Sequence, residues 1–278
     1  MCRFHLRKRL RQTTDRKINA AKQRPWEEKQ PMAGYRHEYK YICSMSQLLE
    51  IRERIRPFMH LDPAAEAEGA YTVRSLYFDD HCSRCLRENL DGTDPREKFR
   101  IRIYNGELRR ARLELKQKRQ GMTRKLSCPL PEDTLGTILS GRPPAFTDTA
   151  PLLQQLVLEM HTRLLRPRII VEYDRIPYVY RDGNVRITLD MDIRSSADTA
   201  LFGERRIPGR LLMPARLHVL EVKFDDFLPQ HIFQAAQIRG LRRTSFSKYA
   251  LCAQHWNGRT ELPVPSGRQS MFPESFPE

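Results

Sequence analysis

The stretch KFRIRIYN, residues 98–105, decides how this chain is read. Arg100 and Arg102 stand two residues apart, flanked by Phe99, Ile101 and Ile103. Side chains of an extended strand alternate between faces, so both guanidinium groups leave one face and the apolar residues leave the other. Outward from this segment the alternation recurs. In YRHEYKYI (35–42), Arg36, Glu38 and Lys40 share a face opposite Tyr35, His37, Tyr39 and Tyr41. In ARLELKQK (111–118), Arg112, Glu114, Lys116 and Lys118 oppose Leu113 and Leu115. In TRKLSC (123–128), Thr123, Lys125 and Ser127 oppose Leu126 and Cys128, with Arg124 breaking the apolar side. In NVRITLDMDI (184–193), Arg186, Thr188, Asp190 and Asp192 oppose Val185, Ile187, Leu189, Met191 and Ile193. In HVLEVKFDD (218–226), Glu221 and Lys223 oppose Leu220, Val222 and Phe224.

An antiparallel sheet with one wet face alternates apolar and polar residues as a matter of course. These polar faces differ in being dominated by arginine and lysine, with carboxylates in E-x-K and D-x-D spacing. Turned into the interior of a closed barrel, two such cations about 4 Å apart repel by roughly 4 kcal/mol at an effective dielectric near 20. A cost of that size persists where a function requires it. An extended polyanion would supply the missing counter-charge and accept the forked hydrogen bonds of arginine. The interspersed carboxylates would then suit a divalent metal, which prefers oxygen ligands and bridges phosphates.

Composition agrees with a polyanionic partner. Over 278 residues, 49 lysines and arginines face 34 acidic residues, a net charge of +15. Charge of this size suits nucleic acid, an anionic membrane or a phosphate-rich substrate alike. No apolar run approaches the roughly 20 residues a membrane span needs. The basic start MCRFHLRKRLRQ lacks the apolar stretch of a secretory signal, which points to a cytoplasmic protein. Six thinly spread cysteines read as reduced thiols. Residues 1–34 read as a basic extension, disordered or helical, 35–256 as one folded domain, and 257–278 as a loose Pro- and Ser-rich tail.

Short helices complete the pattern. Ser44 and Gln47 form a capping box ahead of a helix whose apolar face is Leu48, Ile51, Ile55 and Phe58. DDHCSRCLRENLDG (79–92) reads as a second helix, with Asp80 as its cap. TAPLLQQLVLEMHTRLL (149–165) is the longest amphipathic stretch. Cys82 and Cys85 form C-x-x-C, but no second pair completes a zinc site, so helix packing is the expectation. The tyrosines of 35–41 lie opposite the charged face and read as core rather than as base-stacking platforms. His218 and His231 read as ordinary core or surface residues.

In order along the chain, RHEYKY, SLYFDD, FRIRIY, LELKQKRQGMTRK, EYDRIPY, VRITLDMDI, LEVKF and SFSKY resemble the VTC (vacuolar transporter chaperone) domain. This is the polyphosphate polymerase branch of the CYTH-like triphosphate tunnel metalloenzymes. The resemblance spans about residues 35–256. It implies an α+β fold, an eight-stranded antiparallel β-barrel forming a basic tunnel with flanking helices. It also implies transfer of the γ-phosphate of ATP to a growing inorganic polyphosphate chain, with Mn2+ or Mg2+. By motif, Lys40, Arg100, Arg102, Lys116 and Arg186 resemble the catalytic phosphate ligands. Lys125, Arg175, Lys223 and Lys248 resemble further substrate contacts, Glu221 resembles the metal-binding glutamate, and Glu38 is the second carboxylate near the metal.

The wider superfamily carries E-x-E-x-K on its first strand, and this chain has Arg36 in place of the first glutamate. That departure favours the polymerase branch over a triphosphatase or cyclase. The phosphate-sensing domain and membrane helices of eukaryotic relatives have no counterpart in the sequence, so a membrane partner would be a separate protein. The implied partners are ATP and inorganic polyphosphate, not nucleic acid. Two alternatives stay open: a non-catalytic polyphosphate or nucleotide-binding module, and a tripolyphosphatase.

Overall fold

A computed structural model describes residues 34–65, 69–146, 150–213, 217–237 and 240–258. The expectations for 1–34 and 257–278 fall, but for their boundary residues, outside it. The chain divides into two units, Met1–Gly34 and Tyr35–Glu278, and the second carries every element described below.

The charged alternating segments are strands, and they pair into one antiparallel sheet. In sequence order they are β1 (His37–Ser44), β2 (His60–Leu61), β3 (Tyr71–Asp79), β4 (Arg96–Tyr104), β5 (Arg112–Arg119), β6 (Met122–Pro129), β7 (Arg166–Tyr180), β8 (Val185–Ser196), β9 (Arg210–Leu211) and β10 (Leu217–Phe224). Eight of them follow the order β1-β10-β8-β7-β3-β4-β5-β6, with β2 added to β7 and β9 to β8. The sheet curls into a half-barrel whose two edge strands meet at a single bridge, where Arg36 and Thr123 exchange N–H···O bonds of 2.8 and 2.9 Å. Farther along β1 the free edge is taken by residues 243–244, through a bridge from Tyr41 to Arg243 and a 2.8 Å bond from Thr244 N–H to the Lys40 carbonyl.

Six helices flank the described sheet: α1 (Met45–Ile55), α2 (Arg84–Leu90), α3 (Glu132–Leu139), α4 (Pro151–Thr162), α5 (Gln230–Ala236) and α6 (Lys248–Trp256). The capping box at the start of α1 is present, with Ser44 Oγ accepting from Gln47 N–H and Gln47 Oε1 accepting from Ser44 N–H. Leu48, Ile51 and Ile55 are buried, but Phe58 is not part of that face: the helix ends at Ile55 and Phe58 is exposed. Pro57 explains this: Arg56 still has helical dihedrals and bonds back to the Arg52 carbonyl, but proline has no N–H with which to continue the ladder. Helix α2 begins at Arg84, and both Asp79 and Asp80 accept from its first N–H groups. Among the described residues, no helix is long and apolar enough to cross a membrane.

Period-two alternation separates the sheet's two surfaces. The convex surface is apolar and covered in two patches. Phe99, Ile101, Ile103, Leu113 and Leu115 pack with Leu135 and Ile138 of α3 and Leu153, Leu156, Val157 and Met160 of α4. Tyr41, Ile187, Leu189, Leu220 and Val222 pack with α1 and α5. The concave surface is filled at one part by Tyr71, Val73, Tyr77, Val171, Tyr173 and Val219 against Tyr249, Ala250, Leu251 and Cys252 of α6. Elsewhere it carries the charged residues.

The strand β8 departs from simple alternation. Between the pairs Glu172–Arg194 and Asp174–Met191, two β8 residues, Asp192 and Ile193, stand opposite the single β7 residue Tyr173, and Asp192 has φ +50°. Parity flips there, so Asp190 is fully buried on the concave side while Asp192 is exposed. The shared face expected for these two aspartates does not exist.

Candidate functional site

Register sets the site. Across β4, β5 and β6, Arg100, Glu114 and Ser127 stand side by side, and the neighbouring row is Lys98, Lys116 and Lys125. On the opposing wall, Lys40 pairs with Glu221 and Glu38 with Lys223. Glu221 is in turn opposite Thr188, and Lys223 opposite Arg186. Adjacent strands lie about 4.8 Å apart, so each row is a line of charges at near-contact spacing.

Four carboxylates face the concavity, and each is shared. Glu114 is within 2.7 Å of Arg100, 2.9 Å of Lys125 and 3.9 Å of Arg102. Asp190 accepts two hydrogen bonds from Arg175, at 2.7 and 2.9 Å, and lies 2.6 Å from Lys248. Glu38 is ion-paired with Lys116 and lies 3.3 Å from Lys40. Glu221 is 2.5 Å from Lys223 and 3.7 Å from Lys248. Eight cations (Lys40, Arg100, Arg102, Lys116, Lys125, Arg175, Lys223, Lys248) thus share four carboxylates.

The ionisation states follow. Burial alone would raise the carboxyl of Glu38, but Lys116 and Lys40 outweigh it and hold the group well below the usual carboxylate range. Burial of Glu114 is likewise overridden by Arg100, Arg102 and Lys125. Arg175 and Lys248 do the same to buried Asp190, and Lys223 and Lys248 to Glu221. All four are anions at neutral pH. The Tyr77 phenol, which burial would raise, is drawn down to about 8 by Arg100 and Lys98.

A cavity of about 450 Å3 opens on this wall. Of the residues expected from sequence, Glu38, Lys40 and Lys116 line it. The others lie outside that lining, on the sheet's concave face except for Lys248, which reaches Asp190 from the start of α6. Arg100 and Arg102 are tied to Tyr77 Oη (3.0 Å), Ser75 Oγ (3.1 Å) and Tyr173 Oη (3.3 Å). Arg186 sits 2.8 Å from Asp62 and 2.9 Å from Tyr71 Oη. Lys40 also donates to the Phe246 carbonyl at 3.1 Å, anchoring segment 243–247 over the cavity. Arg36 leaves the charged set, since its guanidinium reaches Asp225 at 2.7 Å and the Asn184 carbonyl.

Sequence reasoning missed Arg96, Lys98, Lys118 and Arg243, all of which line the cavity. For Lys98 and Lys118 the signal was available, because strand parity puts them with Arg100 and Lys116. Arg243 reaches the site only through the edge pairing of its segment with β1.

Among the described residues, no group of three or more metal-ligating side chains converges. Glu38 and Glu221 can contribute two oxygen ligands from neighbouring strands, and both already hold lysines. That donor set fits a cation whose remaining ligands come from phosphate and water, as Mg2+ accepts, and does not fit an all-protein cage.

A family model described as the VTC domain matches residues 35–257. No curated protein matches the chain. Among solved structures, the chain is similar to the PH1819 protein from Pyrococcus horikoshii OT3, with 15% identity over 79% of this chain and 98% of that one and a TM-score of 0.42. It is also similar to the bh2851 protein from Bacillus halodurans, with 12% identity over 84% of this chain and 96% of that one and a TM-score of 0.43.

Proposed function

Because the chain belongs to the VTC domain family, we propose that its concave face binds a linear phosphate chain and extends it with the γ-phosphate of ATP. The observation that carries this is the charge surplus: eight cations on four carboxylates, beside an open cavity of about 450 Å3. Phosphoryl transfer asks little covalent help of a protein, and positioning with charge neutralisation supplies most of the rate. Lys40, Lys116, Arg100, Arg102 and Arg186 would cradle the phosphates. Lys125, Arg175, Lys223 and Lys248 would hold the flanking charge. The acceptor is a terminal phosphate oxygen already ionised at neutral pH, so no general base is required. Glu38 and Glu221 would hold Mn2+ or Mg2+ jointly with the phosphates, and the ion would offset charge on the transferring group.

One observation favours a second reading, a polyphosphate-binding module without turnover: both metal-holding carboxylates are already committed to lysines. Purified protein with ATP and Mn2+ or Mg2+ decides between them, with products sized on a urea gel. Lengthening polyphosphate that Glu221→Gln abolishes supports the polymerase. Tight polyphosphate binding with no product under either metal refutes it in favour of the binding module. Hydrolysis of tripolyphosphate without extension refutes it in favour of a phosphatase.

A further inference from the structure

Lys98, like Arg96 and Lys118, lines the cavity without an ion-pair partner among the described residues, and of the three it is the one set against aromatic rings. Its ammonium makes no salt bridge within 4 Å among the described residues, whereas Lys40, Arg100, Arg102, Lys116 and Lys125 each have a carboxylate. What it has instead is a pair of aromatic rings on one side. Nζ stands 5.5 Å from the centroid of the Tyr77 ring and 5.2 Å from that of Tyr249, and the two rings lie 5.1 Å apart. Ser247 Oγ, at 3.4 Å, is its one hydrogen-bond acceptor among the described residues. Ring faces attract a cation but leave its donors unfilled. Lys98 also lines the cavity, directly opposite Lys116 in the β4–β5 register.

We propose that Lys98 is a further phosphate ligand, an ammonium held beside the Tyr77–Tyr249 ring pair with its counter-charge left for the incoming anion to supply. The inference rests on the phosphate-chain reading above and adds a residue and a proton to it. The groups facing Lys98 are Tyr77 of β3, Arg96 and Arg100 of its own strand, Lys40 of β1, Lys116 of β5 and Tyr249 of α6. Burial lowers its ammonium to about 8, with Lys40, Arg100 and Arg96 pushing the same way against Tyr77. A phosphate beside it reverses that balance, so Lys98 takes up a proton as the anion binds near pH 8, and affinity weakens as pH rises above that value.

The test is calorimetric titration of the full chain with inorganic tripolyphosphate, at pH 8 in two buffers of different ionisation enthalpy, which reports protons taken up. Wild type is expected to bind with net uptake. Lys98→Met should bind about ten- to a hundredfold more weakly, the range for a hydrogen bond to a charged group. Lys98→Arg should keep most of the affinity and lose the uptake, and it serves should the methionine variant fail to fold. Tyr77→Phe, which removes a second group drawn to about 8, should keep the uptake. Equal affinity in Lys98→Met, or uptake that persists in Lys98→Arg and vanishes in Tyr77→Phe, overturns the proposal and leaves the phosphate-chain reading standing. Failure of wild type to bind tripolyphosphate at all overturns both.

Discussion

Glu114→Gln is the perturbation that most directly interrogates the paired arginines of residues 98–105. The carboxylate is fully buried and stands 2.7 Å from Arg100, 2.9 Å from Lys125 and 3.9 Å from Arg102. Glutamine keeps the shape and one acceptor but removes the charge, leaving two adjacent arginines without their shared anion. Each close ion pair is worth about 4 kcal/mol gross at an effective dielectric near 20. The Lys125 contact counts for less, since that side chain is half exposed and screened. Removing one partner of a buried pair costs about 3–5 kcal/mol net, and we expect a loss in that range by urea denaturation at pH 7.5. The sign with pH is fixed by the depressed Glu114 carboxyl. Wild type keeps this contribution above the usual carboxylate range and loses it only as pH falls through the lower folded value, so the two proteins converge toward strong acid. Tripolyphosphate should offset the loss, because it supplies the counter-charge that the glutamine withholds. At one hundred times its dissociation constant a ligand adds about 2.7 kcal/mol, and the increment should be larger for the variant than for wild type at equal ligand concentration. A loss below about 1 kcal/mol, or equal increments from tripolyphosphate, would refute the argument that Glu114 balances the arginines.

Other outcomes follow from single residues elsewhere in the fold. His218 is buried on the convex side of β10 with neither ring nitrogen hydrogen-bonded among the described residues, and burial holds its imidazole below the ordinary value against a pull from Asp192. The unfolded chain therefore binds the proton first, so stability should fall as pH drops below about 6.5. Melting curves from pH 7.5 to 5.0 should show a shallower decline for His218→Leu, and identical slopes would count against this account. Gly183 has φ +70° in the β7–β8 turn, and an added Cβ would collide with the Phe227 carbonyl. Gly183→Ala should cost about 1–3 kcal/mol in denaturant titration, and a neutral result would show that this turn is not held as described. Cys82 is exposed while burial pushes the Cys85 thiol up to about 12. In a Cys2→Ser background, Ellman's reagent should label one thiol rapidly, and Cys82→Ser should remove that phase.

How much of this was legible depends on which physical rule each feature obeys. The charged faces of β4, β5 and β10 were readable because alternation is local: Phe99, Ile101 and Ile103 can only be buried together if Arg100 and Arg102 point the other way. The capping box at Ser44 was readable for the same reason. Asp192 was misplaced because a bulge is a property of two strands, and nothing in VRITLDMDI announces that β8 carries one residue more than β7 at this point of the pairing. Phe58 was misplaced although Pro57 stood in view. Lys98 was passed over because its significance lies in Tyr77 and Tyr249, brought to it from β3 and α6.

Net charge, the plainest sequence signal, turns out to be the least specific one. Part of the +15 is solvated and unremarkable, as at Arg109, whose side chain is 92% exposed. What distinguishes this fold is the ratio inside the curled sheet, and that ratio is written in register rather than in composition. Were each concave cation matched by its own carboxylate, the interior would be neutral and a phosphate chain would have to displace buried ion pairs to enter. Were there no carboxylates, the repulsion among neighbouring rows would exceed the 5–15 kcal/mol that holds a typical domain together. Four anions for the eight ion-paired cations, with Lys98 besides, lies between these limits and leaves the interior short of negative charge. At Arg96, Lys98 and Lys118 no carboxylate among the described residues answers the charge, and the cavity they line lies open to an anion that would.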